Sequence, residues 1–507
     1  MLEGRTLWEL VVARAAETPD ARAAVDERGE VLTFADLRTR AERIAAGLAA
    51  SHGLGGGTVV SWQLPSWIES MALVCALARL EAVQNPILPI YREREVGFIA
   101  RQARSKLLIV PSTFRGFDYE AMARGIATDV DGLEVLVSDR ALPEGDPSSL
   151  PPPAGTGDEV RWLFYTSGTT ADPKGAQHTD QTIAAAARGM NERLGLTPDD
   201  RHSLVFPFTH IGGIIWLFSG LQIGLTNIVD EAFVPDTTIP LLQREDVTLA
   251  GSGTYFHMAY LQAQRANPSQ KLFPHVRACP GGGAPKPPQL HHDVKNELGG
   301  AGVVSGYGLT EAPILTMASP NDPDDALANS EGSAMPGVDL KVVTLDGKVA
   351  GIDEEGEIRA KAPQLMKGYL DAALDTDAFD EDGYFRTGDL GTIDAGGAVI
   401  ITGRVKDIII RKGENISAKE VEDLLFTHPK VAEVAVIGLP DPASGERACA
   451  VVVAADGGPT LEELKAFLSE KGLRTQALPE QIEVVDALPR NPAGKILKQD
   501  LRARFSS

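Results

Sequence analysis

Apolar residues follow two alternating patterns in the first part of the chain. After Thr33, a typical N-cap residue, five of them have helical spacing: Phe34, Leu37, Ala41, Ile44 and Leu48. The runs TVVSW (58–62) and KLLIVP (106–111) instead have the length and composition of buried strands. Helices that alternate with buried strands predict parallel sheets covered by helices.

The pattern changes twice further along. A Pro/Gly/Ser-rich loop occupies 142–159, short β elements dominate 335–402, and a compact β/α pattern follows GRVKD at 403–407. We therefore predict an α/β fold whose large N-terminal domain (1–402) has helix-flanked mixed or parallel sheets and a β-rich subdomain. A hinge at 403–407 would join it to a small α+β C-terminal domain (408–507).

Composition narrows the classes of function. The net charge of -22 disfavours nucleic-acid binding and docking on anionic lipid. The most apolar window, MALVCALARL, contains Arg79 and is flanked by Glu69 and Glu81, which predicts a packed helix and no integral membrane association. The three cysteines are far apart, as expected for a cytoplasmic protein without disulfides. No histidine pattern suggests a metal site, and His291 and His292 are expected at the surface.

The segment YTSGTTADPKGA (165–176) combines hydroxyls, glycines and a lysine directly after an apolar strand. It is not a Walker A loop, because Lys174 lies between Pro173 and Gly175 and no hydroxyl residue follows the lysine. Hydroxyls and free backbone N–H groups can still hold phosphate. A polar turn at the surface is the alternative, and composition alone leaves both open.

The complete string TSGTTADPKG resembles the signature loop of the adenylate-forming enzymes, which include acyl-CoA synthetases, firefly luciferase and peptide-synthetase adenylation domains. Ala171 replaces a glycine common in relatives. The resemblance extends over nearly the whole chain and implies that this loop binds the outer phosphates of ATP. The loop residues concerned are Thr166, Ser167, Gly168, Thr169, Thr170 and Lys174.

Two glycine-rich motifs continue the resemblance. GGGAP (281–285) is similar to the adenine-side loop of the family, and GYGLTEA (306–312) is similar to its YGxTE motif. The resemblance implies that Tyr307 stacks on adenine, that Thr310 touches the α-phosphate, and that Glu311 holds Mg²⁺ together with Thr166. The remaining nucleotide-binding positions implied by these motifs are Gly282, Gly283, Ala284, Pro285, Gly306 and Gly308.

The last third of the chain carries the other implied nucleotide residues. By resemblance, Asp389 accepts hydrogen bonds from the ribose hydroxyls, Arg404 binds ribose or phosphate, and Lys406 is the hinge. Ile401 would lie against the nucleoside, although a core position is almost equally compatible. Lys495, in PRNPAGK, would reach the substrate carboxylate and the α-phosphate in the first half-reaction; the alternative is a solvated basic face.

Further resemblances concern the residues expected to bind the substrate acid and the thiol of coenzyme A. PFTHIGG (207–213) has Thr209-His210 where amino-acid adenylation domains have Phe-Asp, which argues against an amino-acid substrate. His210 is expected beside the carboxylate and the coenzyme A tunnel, unless it is purely structural. Gly413 and Glu414, in RKGEN, would line the same tunnel. The expected acyl pocket is apolar and consists of Trp216, Tyr255, Phe256, Ala312 and Pro313.

The resemblance thus predicts an AMP-forming acyl-CoA synthetase for a medium-chain fatty, alicyclic or aromatic acid. ATP, Mg²⁺ and coenzyme A are the expected cofactors, with Lys495, Glu311, Thr166 and His210 as catalytic residues. The alternatives are an enzyme that loads a carrier protein, a luciferase-like oxygenase and a non-catalytic adenylate-binding relative. A homodimer is compatible with the sequence.

Overall fold

Helices and strands alternate through the first two thirds of the computed structural model. The structure describes residues 1–166, 172–411, 414–442, 444–455, 457–491 and 494–506. None of the helices in these ranges has both the length and the apolarity needed to cross a bilayer. The predicted α/β class is confirmed, whereas the domain limits at 402 and 408 stay a prediction.

The described strands are β1 Arg22–Asp26, β2 Val31–Thr33, β3 Val59–Trp62, β4 Val83–Pro86, β5 Leu107–Val110, β6 Thr113–Phe114, β7 Phe117–Asp118, β8 Glu134–Val137, β9 Val160–Thr166, β10 Lys174–Thr179, β11 Arg201–Leu204, β12 Thr226–Val229, β13 Cys279–Gly282, β14 Val303–Leu309, β15 Ala312–Met317, β16 Ser333–Ala334, β17 Asp339–Val343, β18 Gly356–Lys361, β19 Phe385–Ile393, β20 Val399–Arg404, β21 Ile408–Arg411, β22 Glu414–Ser417, β23 Val431–Asp441, β24 Gly445–Ala454 and β25 Gln481–Val485.

The described α-helices are α1 Leu7–Glu17, α2 Phe34–His52, α3 Ile68–Arg79, α4 Glu93–Gln102, α5 Tyr119–Asp129, α6 Asp180–Leu194, α7 Ile211–Ile223, α8 Pro235–Arg244, α9 Thr254–Ala266, α10 Pro288–Glu297, α11 Asp324–Asn329, α12 Asp375–Ala378, α13 Ala418–Leu425, α14 Leu461–Glu470 and α15 Lys498–Phe505.

Among the described residues up to 334, the strands form three larger sheets and the two-stranded sheet β6-β7. The largest has the order β10-β9-β4-β3-β5-β8, with parallel pairing from β9 to β8 and the antiparallel β10 at one edge. The others have the orders β11-β12-β1-β2 and β13-β14-β15-β16. Parallel strands end at the same edge of a sheet, so their following loops converge, and this is where ligands bind in open α/β sheets.

Two antiparallel-rich sheets follow. The order β17-β18-β19-β20 forms the β-rich part, and β22-β21-β24-β23 forms the last sheet, with β25 parallel to β24. In the last sheet, α13 and α14 cover one face and α15 covers the other, giving two apolar clusters. Phe426 at the end of α13 packs against the large core of the N-terminal part, which joins the two parts of the chain.

Local sequence signals explain where several helices begin. Thr33 caps α2 in a reciprocal capping box with Asp36, as its predicted N-cap role requires. The expectation that His291 lies at the surface is wrong. Its side chain is fully buried on α10, and its ring Nδ1 is 3.1 Å from the carbonyl oxygen of Val303. A short polar sequence around a histidine does not reveal such a backbone partner.

Candidate functional site

The phosphate-loop motif connects two strands of the largest sheet. Thr166 ends β9 and Lys174 begins β10, and the antiparallel register places these two residues opposite each other. The Nζ atom of Lys174 is 5.4 Å from the ring centroid of Tyr369. Ser167, Gly168, Thr169 and Thr170 lie outside the described residues, so their predicted phosphate contacts stay predictions.

Glu311 lies in the tight connection between β14 and β15, and its side chain is buried. Its Oε1 atom accepts hydrogen bonds from the Tyr369 hydroxyl at 2.9 Å and from the Thr166 hydroxyl at 3.5 Å. Its carbonyl oxygen accepts a further bond from the N–H of Met366 at 2.8 Å. The carboxylate is therefore oriented by two hydroxyls that come from distant parts of the chain.

Thr310, which precedes Glu311, is held by a residue that the sequence did not single out. The Nε2 atom of His178, on β10, is 2.9 Å from the Thr310 carbonyl oxygen, so Nε2 carries the proton and donates. Its Nδ1 lies 3.0 Å from the Thr182 hydroxyl. Burial lowers the pKa of His178 to about 4, which makes the imidazole neutral at pH 7. His178 thus fixes the backbone of the YGLTE motif.

The β-rich sheet brings Asp389, Arg404 and Tyr307 together. The register of β19 and β20 places Asp389 opposite Arg404, and Arg404 Nε donates to Asp389 Oδ1 at 2.5 Å. The Tyr307 hydroxyl donates to Asp389 Oδ2 at 2.9 Å. Burial opposes the charge of Arg404, but the adjacent Asp389 carboxylate raises its pKa overall. The three side chains therefore form one buried network.

This network bears on the predicted nucleotide contacts. Burial raises the pKa of Tyr307 above its usual value, and the neighbouring Asp389 acts in the same direction, so the phenol is neutral. A carboxylate oxygen can accept more than one hydrogen bond, so Asp389 keeps acceptor capacity for ribose hydroxyls. Ile401, on β20, is half-buried in the apolar cluster that contains Tyr307. Adenine stacking on Tyr307 stays a prediction.

Backbone packing explains several glycines of the two glycine-rich motifs. A Cβ atom on Gly282 would lie 2.8 Å from the Gly306 carbonyl oxygen, and one on Gly308 would lie 2.3 Å from the Ile314 nitrogen. Gly283 has a φ of 73°, which favours glycine. The loop then continues through Ala284 and Pro285, where the Pro285 carbonyl accepts from the Thr254 hydroxyl at 2.7 Å.

His210 is the N-cap residue of α7. Its Nδ1 accepts a hydrogen bond from the Gly212 N–H at 3.1 Å, so its remaining ring nitrogen, Nε2, is the donor of the neutral imidazole. Burial lowers the pKa of His210 to about 4, and the positive charge of Lys495 lowers it further. The neutral His210 and the cationic Lys495 thus share one site.

Lys495 belongs to a turn that closes on itself. Its N–H donates to the Asn491 side-chain oxygen at 2.9 Å, and its carbonyl accepts from the Asn491 N–H at 2.9 Å. Burial lowers the pKa of Lys495 to about 8, and the nearby Arg404 acts in the same direction. Lys495, from the C-terminal part of the chain, therefore lies near Arg404 and His210. Its contact with the substrate carboxylate and the α-phosphate stays a prediction.

The predicted acyl-pocket residues are mostly buried in aromatic packing. Trp216 stacks on His202 with ring centroids 3.5 Å apart, and Phe256 meets Phe233 edge-on at 4.9 Å. Ala312 and Pro313 are buried on β15, and Tyr255 is half-buried at the start of α9. Whether these side chains line an acid pocket stays a prediction.

The predicted hinge residue Lys406 and the predicted tunnel residue Glu414 lie near the start of the last sheet. Lys406 is in the 3₁₀ turn Val405–Asp407, directly after β20. Gly413 lies outside the described residues, and Glu414 begins β22, where its carboxylate is 3.5 Å from Arg474. From the C-terminal part, Lys495 lies near Arg404 and Asp389, two of the predicted nucleotide-binding residues.

The family model described as AMP-binding enzyme matches residues 11–370, and the model of the AMP-binding enzyme C-terminal domain matches residues 420–495. The chain belongs to the AMP-binding enzyme family. It is an AMP-forming ligase of the adenylate-forming superfamily, as predicted.

Two curated relatives span nearly all of this AMP-binding enzyme. A medium-chain fatty-acid–CoA ligase from Escherichia coli (strain K12) is 32% identical over 500 residues, which cover 96% of this chain and 88% of that protein. A salicyl-AMP ligase / salicyl-S-ArCP synthetase from Mycobacterium tuberculosis (strain ATCC 25618 / H37Rv) is 32% identical over 526 residues, covering 98% and 90%.

A solved structure shares the fold. The o-succinylbenzoate coenzyme A synthetase from Bacillus subtilis, in complex with ATP and magnesium ion, has a TM-score of 0.84 and 28% identity and covers 98% of this chain and 99% of that chain. The prediction of ATP, Mg²⁺ and coenzyme A is confirmed at the level of the family.

The residues around Glu311 fit a magnesium ion. Within the described ranges there is no cluster of three His, Cys, Asp or Glu side chains that could hold a metal without help. Mg²⁺ is usually bound through one or two carboxylates together with substrate phosphates and water, all of them oxygen ligands. The Glu311 carboxylate next to the Thr166 hydroxyl supplies such oxygens at the end of the phosphate-loop strand.

Proposed function

We propose that the enzyme activates an apolar monocarboxylic acid, of the medium-chain fatty, alicyclic or aromatic class, and transfers it to coenzyme A. The observation that carries this proposal is that the helix following His210, α7, has no charged side chain. No residue of α7 (Ile211–Ile223) is charged, and most of its side chains are buried. An amino-acid or dicarboxylate substrate needs a partner for its second charge, and this helix supplies none.

In the proposed first half-reaction, a carboxylate oxygen of the acid attacks the α-phosphorus of ATP. The new P–O bond forms as the bond to pyrophosphate breaks, which gives acyl-AMP and pyrophosphate. Both reactants are anions, so the chain's contribution is alignment and charge neutralisation. Lys495 stabilises the charge that develops at the α-phosphate, and Lys174 binds the outer phosphates.

Three other groups orient the reactants. The neutral His210 donates from Nε2 to the substrate carboxylate, because its Nδ1 is already occupied by the cap hydrogen bond. Asp389 accepts the ribose hydroxyls while Arg404 and Tyr307 hold its carboxylate. Glu311 and Thr166 hold Mg²⁺, which when bound neutralises phosphate charge. In the second half-reaction the sulfur of coenzyme A attacks the acyl carbon, and AMP leaves.

A screen of acids tests the substrate class. Pyrophosphate release and thioester formation are measured with ATP, Mg²⁺ and coenzyme A for octanoate, cyclohexanecarboxylate and benzoate, with malonate and phenylalanine as charged competitors. We expect kcat/KM to be at least about tenfold higher for one of the apolar acids, because an unpaired buried charge costs more than about 1.4 kcal/mol. A preference for malonate or phenylalanine would contradict the proposal.

A second candidate is transfer of the acyl group to a carrier protein. The salicyl-S-ArCP synthetase is 32% identical over almost the full chain, the same identity as the fatty-acid–CoA ligase. The two acceptors are separated by supplying the adenylated acid with coenzyme A in one reaction and with a phosphopantetheinylated carrier protein in another. Thioester formed only on the carrier would replace the first candidate by the second.

A further inference from the structure

The turn that carries Lys495 rests on one aromatic side chain of the N-terminal part. A Cβ atom on Gly494 would lie 2.9 Å from the Cβ of Tyr255, so only glycine lets the turn approach this closely. Gly494 also has a φ of 81°, which favours glycine independently. The guanidinium of Arg490 lies over the ring of the same tyrosine, 5.5 Å from its centroid.

The turn that carries Lys495 is held by hydrogen bonds and an ion pair of its own. The turn is closed by Asn491 and by Arg490, whose guanidinium donates to the Gly494 carbonyl at 2.7 Å and to Glu433 at 2.9 Å. These bonds link Arg490, Asn491, Gly494 and Lys495, so a contact to Arg490 or Gly494 also affects where Lys495 is placed. Arg490 and Gly494 both meet Tyr255.

The side chain of Tyr255 is held by packing against other aromatic rings. Its ring packs edge-on against Phe233 and Phe256, with centroids 5.8 and 5.4 Å apart. The preceding Thr254 donates to the carbonyl of Pro285 in the adenine-side loop. The first turn of α9 thus connects the adenine-side loop to the turn that carries Lys495.

We propose that Tyr255 is a positioning residue that seats the Lys495 turn for adenylate formation, in addition to, or in place of, its predicted part in the acyl pocket. The inference rests on the proposed role of Lys495. Arg490 and Gly494 complete the contact, and we call these three residues the Tyr255 clamp. The clamp acts through Lys495 and does not itself touch the reacting atoms.

The two half-reactions, measured separately, test the clamp. The probe acid is whichever of octanoate, cyclohexanecarboxylate and benzoate the unaltered enzyme adenylates fastest. For Tyr255→Leu we expect kcat of adenylate formation to fall about tenfold, since a cation–π contact and its packing are worth about 1–2 kcal/mol. Thioester formation from the supplied acyl-adenylate and coenzyme A should change less than about twofold. Tyr255→Phe keeps the ring and should restore adenylation.

Tyr384→Leu is the matched control. Tyr384 is also half-buried and lies under two cations, Lys341 at 4.1 Å and Lys361 at 4.4 Å, but it belongs to the β-rich sheet region outside the site. Its loss should leave both half-reactions within about twofold of the unaltered enzyme, because the surface contact it makes is remote from Lys495. Two results for Tyr255→Leu would overturn the proposal. One is equal slowing of both half-reactions. The other is a raised KM for the acid with unchanged kcat, which is the result expected of a residue in the acyl pocket.

Amide hydrogen exchange gives a second readout that needs no turnover. In the unaltered enzyme with ATP and Mg²⁺, the peptide covering 486–498 should exchange more slowly than in Tyr255→Leu, and Arg490→Gln should resemble Tyr255→Leu. Equal exchange in all three proteins would overturn the clamp. If the enzyme adenylates no acid but exchange still differs, the clamp stands and the proposed function fails.

Discussion

The ammonium group of Lys495 lies in surroundings that disfavour its charge. Burial and the nearby Arg404 lower its pKa to about 8, and the role proposed for Lys495 in adenylate formation needs the charged form. Since the proton is lost as pH rises, kcat/KM for ATP–pyrophosphate exchange should fall through about pH 8. In Lys495→Arg, whose guanidinium stays charged, exchange should be slower but the descending limb should be absent. If kcat/KM of Lys495→Arg still fell above about pH 8, the group that titrates would not be Lys495.

Tyr369 connects Glu311 and Lys174, two residues of the predicted phosphate site. Its hydroxyl donates to Glu311, and its ring lies under Lys174. Tyr369→Phe keeps the ring but removes the hydrogen bond, so Glu311 should be less well oriented for Mg²⁺. We expect calorimetric ATP binding to need about tenfold more Mg²⁺, with near-normal binding at saturating metal.

Tyr119→Phe is the control for this titration. Tyr119 is also a buried phenol with one donated hydrogen bond, to the Pro89 carbonyl at 2.7 Å, but it lies outside the phosphate site. Its loss should leave the Mg²⁺ dependence unchanged. An equal response in both variants would show that Tyr369 acts only through stability.

The motif residues could be predicted from sequence, but their supporting partners could not. Glu311, Asp389 and Lys495 stand in strings that are recognisable in one dimension. His178 and Tyr369, in contrast, contact Thr310 and Glu311 across 132 and 58 positions of the chain. Pairing at such separations is created by the sheet register and the tertiary fold, which local patterns do not specify.

At the scale of elements, the start of α7 is packed too tightly for a side chain at position 213. A Cβ atom on Gly213 would lie 2.6 Å from the Phe208 carbonyl oxygen and 2.8 Å from its Cα. Gly213→Ala should therefore lower the melting temperature, by an amount that reflects about 1–3 kcal/mol of strain. Because it displaces the helix end capped by His210, it should also slow adenylation, as measured by pyrophosphate exchange.

For a glycine in another helix, Gly125, we expect the opposite effect on stability when it is replaced by alanine. Gly125 is exposed within α5, and a Cβ atom there would meet nothing within 4 Å. Gly125→Ala should raise stability by about 0.5–1 kcal/mol, because alanine loses less backbone entropy in a helix. Adenylation should be unaffected. If Gly213→Ala raised the melting temperature as Gly125→Ala is expected to do, the steric account of Gly213 would be wrong.

At the scale of the whole molecule, the C-terminal sheet is docked so that Lys495 faces the nucleotide residues. Phe426 packs against the N-terminal core, and the Ser417 hydroxyl donates to the Thr402 carbonyl at 2.6 Å. The turn between the two parts is tied to α15, where Arg502 donates to Asp407 at 2.7 Å. Glu414 is meanwhile paired with Arg474 within the C-terminal part. These contacts hold an orientation in which Lys495 lies near Arg404. The predicted rotation about the hinge would give a second orientation for thioester formation.

Proline at position 405 should separate these two orientations. Arg404 is extended, with φ -128° and ψ 141°, and Val405 is the first residue of the 3₁₀ turn. An extended residue before proline and a φ near -65° at the turn's first position both suit proline, and the Val405 side chain is exposed. Val405→Pro should thus fit the present orientation, leave pyrophosphate exchange within about twofold, and slow thioester formation at least about tenfold by resisting rotation.

Val405→Ala provides the matched comparison, because it removes the same side chain without restricting φ. It should change neither half-reaction by more than about twofold. If Val405→Pro slowed both half-reactions equally, the turn would need its freedom before adenylation as well. If it slowed neither, the rotation would not depend on φ at position 405, and the hinge would lie at another residue such as Lys406.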